Sequence, residues 1–283
     1  MVKNVIITSC NAKYGDFLIH HWLKSLKENV DLKNIDLVIL DYGLTPEQVH
    51  TLTKTKQVRV VKCREDGKIV VIRFRDMLNF LKKKSYNQVM CCDGGDIIFQ
   101  KDINHLFEKD KKKFRAVCED ESLPLSQIYM NLQNSIDNRI KPQIRKYIKN
   151  QKMINAGVIF APRNKFMKLC SACNMYVQDK NKFGPDQIIV NYLLYKEGFV
   201  KLNKEYNFVV YASGNSFKIK KGIFYNENNE KISIVHNTGG SPYMRAIKNF
   251  GYGERFNKIR FIRFYFFRGI IKVGDWLYHL LEK

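Results

Sequence analysis

Through its first 120 residues the chain alternates two signals, apolar runs of four to six residues and longer stretches with helical spacing. Runs that short suit buried strands and fall far below the roughly 20 residues of a membrane-spanning helix. Val5 to Ser9 reads as a first strand and Tyr14 to Lys27 as an amphipathic helix. Asp36 to Asp41 is a second strand. A helix then starts at Thr45, with Thr45 as N-cap, Pro46 at the first helical position and Gln48 closing a capping box. Val58 to Cys63 predicts a third strand, Arg75 to Lys84 a helix and Gln88 to Cys92 a fourth strand. This alternation predicts an α/β fold, a mainly parallel sheet covered by helices on both faces. Ligands bind such sheets beyond the carboxyl ends of the strands.

Residues 124 to 152 read as a polar helical excursion interrupted at Pro142, and buried strands and helices resume at Ile154. No repeat or low-complexity linker divides the chain. The expectation is one catalytic domain over residues 1–250 and a basic, aromatic helical tail over residues 251–283. That tail holds nine aromatics, seven Lys or Arg and three acids. Its basic residues would fall all around one helix, a mixture that still suits a membrane headgroup zone. A helix packed on the domain is the other reading.

The formal net charge of +22 calls for an anionic partner, whether nucleic acid, anionic lipid or a phosphorylated substrate, or else for a lysine-rich solvated surface that tolerates self-repulsion. The seven cysteines are odd in number and scattered, which points to a reducing cytosol rather than a disulfide framework. Cys170 and Cys173 form a CxxC without a partner motif, and they read as helix residues packed on the core. The start of the chain lacks the pattern of a signal peptide. The expected location is cytoplasmic, peripheral to the inner face of the membrane.

Four stretches carry candidate chemistry. In the run from Val89 to Phe99, an apolar strand ends in Asp93 and Asp96, separated by Gly94 and Gly95. Acids gathered at a strand end repel unless something cationic lies between them, and a divalent cation bridging phosphates meets that demand. A solvated Asp-Gly turn in a hairpin is the alternative, and both stay open on this run alone. Asn155-Ala156-Gly157 precedes a buried strand. Gly184-Pro185 opens a helix with Asp186 and Gln187 in its first turn, a placement that the helix dipole alone would favour. The strand from Ile232 delivers His236 into a glycine-rich loop that includes Gly239.

Taken in order, these motifs resemble the GT-A glycosyltransferases, most closely the family-8 type, which includes bacterial lipopolysaccharide galactosyltransferases and glycogenin-like enzymes. The resemblance spans residues 3 to 245 and also rests on Asn11, on Asp41 to Thr45 and on the Tyr206-Asn207 pair. It implies a GT-A, Rossmann-like fold and transfer of a hexose from a nucleotide sugar, UDP-linked, to a glycan or lipid-linked acceptor in cell-surface polysaccharide synthesis. It further implies that Thr8, Ser9 and Asn11 hold the uracil and ribose. Asp93, Asp96 and His236 would bind Mn²⁺ or Mg²⁺. Arg73 or Arg75 would face the diphosphate or sugar hydroxyls, and Gly239 would line the donor site. Asn155 would contact a sugar, and Asp186 and Gln187 would line its reacting face, an arrangement linked with retention of configuration. The family has one residue between its two acids and this chain has two, which leaves the ligand set open. Asp96 is anchored by the apolar Ile97 to Phe99 behind it.

Cleaving a sugar–phosphate bond builds charge on the departing diphosphate, which a cation and nearby basic groups stabilise. Lys218, Lys220 and Lys221 are candidates for the latter role. Two rival readings are a sugar nucleotidyltransferase, disfavoured because Gly15 is the single glycine in the stretch Ser9 to Gly15, and a nucleic-acid binder, for which no reader fold is visible. An anionic membrane surface is an expected partner, and nucleic acid is not.

Overall fold

A computed structural model describes residues 3–119, 124–211, 216–239 and 245–260, together with 262, 264–266, 269–270, 272–274 and 276. Among these, seven strands build the main sheet: β1 (Asn4–Cys10), β2 (Ile35–Asp41), β3 (Val58–Lys62), β4 (Gln88–Cys92), β6 (Phe114–Cys118), β7 (Ile154–Pro162) and β8 (Phe199–Lys201). Their spatial order is β3-β2-β1-β4-β7-β6-β8. Only β7 runs against its neighbours, so the sheet is mainly parallel. All of β2 and nearly all of β1 are buried, as expected for parallel strands covered on both faces.

Alternation along the strands divides their side chains between two cores. Val5, Ile7, Val38, Leu40, Val89 and Cys91 join one cluster, while Ile6, Leu37, Ile39, Met90 and Cys92 join another on the opposite face. The second face is covered by a helical stretch comprising α1 (Ala12–Phe17), a π-helical turn (Leu18–Leu23) and α2 (Lys24–Asn29). The π turn widens the helix and aims Leu18, Trp22 and Leu23 inward. α3 (Pro46–Thr53) begins with the expected capping box of Thr45 and Gln48. The first face is covered by α4 (Ile69–Lys82), α8 (Arg163–Tyr176) and α9 (Pro185–Glu197), with α5 (His105–Glu108), α6 (Leu125–Leu132) and α7 (Lys141–Ile148) lying between α4 and α8 in the chain.

Two local expectations are corrected. The helix expected from Arg75 starts a turn and a half earlier, at Ile69, because its first turns are held by the core: Val71 to Phe74 are buried and Ile69 packs against the same cluster as Ile72, despite their strand-like composition. Pro142 does not interrupt a helix. It sits in the first turn of α7, where a missing N–H costs nothing. Cys170 and Cys173 lie buried in the core on α8, as expected, and all seven cysteines are free thiols.

A second sheet sets the site. β5 (Ile97–Phe99) leaves β4 and pairs with β12 (Ile234–His236), which also pairs with β9 (Phe208–Val209). β10 (Lys218–Lys220) and β11 (Ile223–Tyr225) form a separate hairpin. β13 (Ile247–Lys248) pairs with β14 (Lys258–Ile259), so the start of the expected tail is folded onto the domain. Gly251 and Asn257 are buried there, and the Tyr252 N–H donates to His21 Nδ1 at 3.0 Å. Arg263, Arg268, Phe261 and Phe267, among the basic and aromatic residues of that tail, lie outside the described residues.

Candidate active site

β4 and β5 belong to different sheets, so the Asp93–Asp96 segment is a crossing between sheets rather than a hairpin turn. His236, the last residue of β12, pairs with Ile97, the first of β5. That register lays His236 beside Asp96, and the Asn237 N–H donates to Asp96 O at 2.9 Å. Asp93 is held to the main sheet by its N–H, which donates to Gly157 O at 3.0 Å. The extra glycine is thereby absorbed: one ligand-type atom each from Asp93, Asp96 and His236 lies within 4.8 Å of the others. His236 Nε2 is 3.6 Å from Asp93 Oδ2 and 3.4 Å from Asp96 Oδ1, yet it has no hydrogen-bond partner and the residue is 2% exposed.

Three glycines make this convergence possible. A Cβ on Gly94 would meet Thr8 Oγ1 at 2.6 Å, and one on Gly95 would meet the Tyr14 ring at 3.0 Å. The crossing therefore lies directly against the carboxyl end of β1. A Cβ on Gly157 would sit 2.2 Å from His236 Cε1, so β7 and the imidazole pack backbone against ring.

Charge is balanced by Arg73, which α4 buries to 3% exposure and which donates through Nη1 to Asp93 Oδ1. Burial opposes ionisation of Asp93, but the Arg73 guanidinium and then His236 outweigh it and hold its pKa below the ordinary value. Arg245 Nη2 lies 3.3 Å from Asp96 Oδ2. For His236, burial favours the neutral ring, while Asp96 and Asp93 together raise its pKa. Asp186, 4% exposed in the first turn of α9, is pushed up to about 6 by burial against the pull of Arg73.

Gln187 is tied to β7 at both ends of its amide, accepting the Ala156 N–H at 3.1 Å and donating to Ile154 O. Asn155 Oδ1 accepts the Gly157 N–H at 2.9 Å. Thr8 Oγ1 and Asn11 Oδ1, at the end of β1, are buried without partners, as are Arg73 Nε, Asp186 Oδ1 and Arg245 Nε. Ser9 is partly buried between Thr8 and Cys10, and Gly239 ends the described loop after β12. Arg75 does not join the cluster. It pairs with Asp66 at 2.6 Å and Asp76 at 2.8 Å. Lys218 and Lys220 are exposed on β10 and Lys221 in the turn after it.

Sequence reasoning missed Glu119 and Arg245 and named Asn207 only as part of a motif. Glu119 follows β6 as Asp93 follows β4, so an acid at an apolar strand end was again the available signal. Its carboxylate accepts from Asn155 Nδ2 at 2.7 Å, and burial pushes it up to about 7. Arg245 sits in a polar stretch whose composition carries no such signal.

The sequence profile of glycosyl transferase family 8 matches residues 5–241. The chain belongs to glycosyl transferase family 8. Among solved structures, this family-8 glycosyltransferase is similar to an active-site mutant of LgtC, with a TM-score of 0.55 and 15% identity over 85% of this chain and 89% of that one. It is also similar to the galactosyltransferase LgtC in complex with donor and acceptor sugar analogs, with a TM-score of 0.55 and 16% identity over 94% and 96% of the two chains. A third likeness is to the glycosyltransferase GlyE of Streptococcus pneumoniae TIGR4, with a TM-score of 0.54 and 15% identity over 94% of this chain and 60% of that one. At such identities these likenesses establish the GT-A fold. No curated protein matches the sequence significantly. Family membership decides for sugar transfer over the nucleotidyltransferase reading.

Two expectations follow from the packing of this candidate site. Gly157→Ala should destabilise the protein by about 1–3 kcal/mol through overpacking. In a His236→Ala background most of that cost should vanish, so a double-mutant cycle by urea denaturation checks whether the ring is the obstacle. Asp186 has a folded pKa above its unfolded value near 3.8. Its contribution to stability is therefore complete below that value and lost as pH rises through about 6. Asp186→Asn, which mimics the neutral acid, should gain on wild type across this window by up to about 3 kcal/mol, read from denaturation midpoints against pH.

Proposed function

We propose that the protein moves a hexose from a UDP-sugar to a glycan or lipid-linked acceptor in cell-surface polysaccharide synthesis, with retention of configuration and with Mn²⁺ or Mg²⁺ held by Asp93, Asp96 and His236. The observation that carries this reading is the convergence of two carboxylates and a buried imidazole whose Nε2 has no partner. Oxygen and imidazole ligands together suit a divalent cation of this kind. When bound, the cation supplies positive charge to the departing diphosphate.

The chain's own groups do the rest in this reading. Arg73, fixed by Asp93, and Arg245, beside Asp96, add permanent positive charge where the diphosphate would leave. The buried, partnerless Thr8 Oγ1 and Asn11 Oδ1 offer polar contacts to a nucleoside at the end of β1, with Ser9 between them and Gly239 across the loop after β12. Asp186 and Gln187 stand at the amino end of α9, tied through the Gln187 amide to β7, and hold the sugar's reacting face rigidly.

The end of the chain supports a membrane-facing role. The described residues between 262 and 276 are helical. Ile262, Tyr265, Phe266, Ile270, Val273 and Trp276 are exposed at three-and-four spacing, while Phe264 is buried against Phe217. Apolar side chains thus face away from the domain, an order that the scatter of basic residues along the sequence conceals. No helix among the described residues is long and apolar enough to cross a membrane. Ring insertion and attraction of the basic surface to anionic lipid would hold such a face at a bilayer.

Asp96→Ala should abolish Mn²⁺-dependent binding of UDP in titration calorimetry while the metal-free protein keeps its melting temperature; undiminished binding would refute the cation site. Proton NMR of the first product should show an α-anomeric signal from an α-linked donor, and a β signal would refute retention. Phe266→Asp combined with Trp276→Asp, which leaves Phe264 in place, should release the protein from phosphatidylglycerol vesicles in co-sedimentation. Salt should do the same to wild type by screening exposed charge.

A further inference from the structure

The groups behind the His236 ring determine which of its nitrogens carries the proton. A backbone N–H can only donate, so Asn155 turns its Oδ1 toward the Gly157 N–H, 2.9 Å away. Asn207 must then offer its amide nitrogen to that same oxygen, and Nδ2 donates to it at 3.2 Å. This turns Asn207 Oδ1 toward the imidazole, 2.9 Å from His236 Nδ1. An amide oxygen can only accept, so the proton sits on Nδ1. Glu119 closes the far end by accepting from Asn155 Nδ2 at 2.7 Å, which agrees with the same orientation. Each bond from the Gly157 N–H to His236 Nδ1 has one allowed direction. Asn207 is 2% exposed, as is His236, so water does not compete for these positions.

We propose that Asn207, oriented by Asn155, is a positioning residue that fixes the Nδ1–H tautomer of His236 and leaves only the Nε2 lone pair facing Asp93 and Asp96. The proposal rests on the reading of that cluster as a cation site. In the other tautomer Nε2 would carry a hydrogen aimed into the cluster and could not ligate. Both ends of the Asn155 amide are engaged within the protein, so this residue serves the imidazole rather than a sugar alone.

The test uses the full chain with Asn207→Leu, which removes the acceptor, and Asn207→Asp, which retains one for Nδ1–H. Two-bond ¹H–¹⁵N correlation spectra of the metal-free protein at alkaline pH, with His236 assigned by its loss in His236→Ala, read the tautomer directly. Wild type and Asn207→Asp should show a protonated Nδ1 and a bare Nε2, and Asn207→Leu should lose that bias. Mn²⁺ affinity by calorimetry should fall about 10- to 100-fold in Asn207→Leu and recover most of that loss in Asn207→Asp. A wild-type Nε2–H tautomer, or an Asn207→Leu protein with wild-type tautomer and Mn²⁺ affinity, would overturn the proposal. If Asn207→Leu does not fold, the wild-type tautomer and its persistence in Asn207→Asp decide. A wild-type protein that shows the Nδ1–H tautomer but binds no Mn²⁺ would remove the cation reading and leave the hydrogen-bond series standing.

Discussion

Arg73 reaches Asp93 from inside the protein, with almost none of its surface in water, and the acidic cluster depends on it. Asp93, Asp96, Asp186 and Glu119 gather near one end of the sheet, where lost hydration opposes ionisation of Asp93, Asp186 and Glu119. A guanidinium keeps its charge at any pH a folded protein meets, so the compensation is always present. Because it acts on Asp93 and Asp186 together, it also divides their behaviour, lowering one pKa while the other stays raised. Without Arg73, Asp93 would lose its strongest compensating charge and keep only the weaker influence of His236 and Arg245.

The cluster lies on a seam between two sheets. Asp93 is anchored to the main sheet through Gly157, whereas Asp96 and His236 are anchored to the smaller sheet through the β5–β12 register. Spacing among the three groups is therefore set by how the sheets pack, and Gly94, Gly95 and Gly157 permit the close approach. His236 adds a connection back across the seam, since its ring rests on β7 and its Nδ1 meets Asn207 beside β9.

Much of this was legible in the residues. Continuous apolar runs marked the buried parallel strands, and Thr45 with Gln48 marked a helix start that the structure reproduces. Acids after an apolar strand and a histidine at the end of another marked the cluster. What escaped depended on contacts distant in sequence. The start of α4 escaped because β-branched residues at its beginning pack with helical spacing, a choice made by the core rather than by propensity. The roles of Arg73 and Arg75, two positions apart on α4, could not be separated, since only tertiary packing shows that one turns inward and the other toward Asp66 and Asp76. Where the additional glycine leaves Asp93 likewise depends on the crossing between sheets, which spacing along the chain does not encode.

The first helical stretch has a property of a different kind. His21 and Asn29 lie near the amino terminus, but both hydrogen-bond Tyr252, far along the chain. Asp93 and Asp96 likewise meet Arg245 and His236, which come much later in sequence. A ribosome releases the amino-terminal strands first, so the nascent chain displays its acids and its opening helix long before their partners exist. Closing such distant pairs is slow because long loops must be ordered before the contacts form. The candidate site is thus among the last parts of the molecule to be completed during synthesis, and a chain released early would carry the sheet without the residues that complete the cluster.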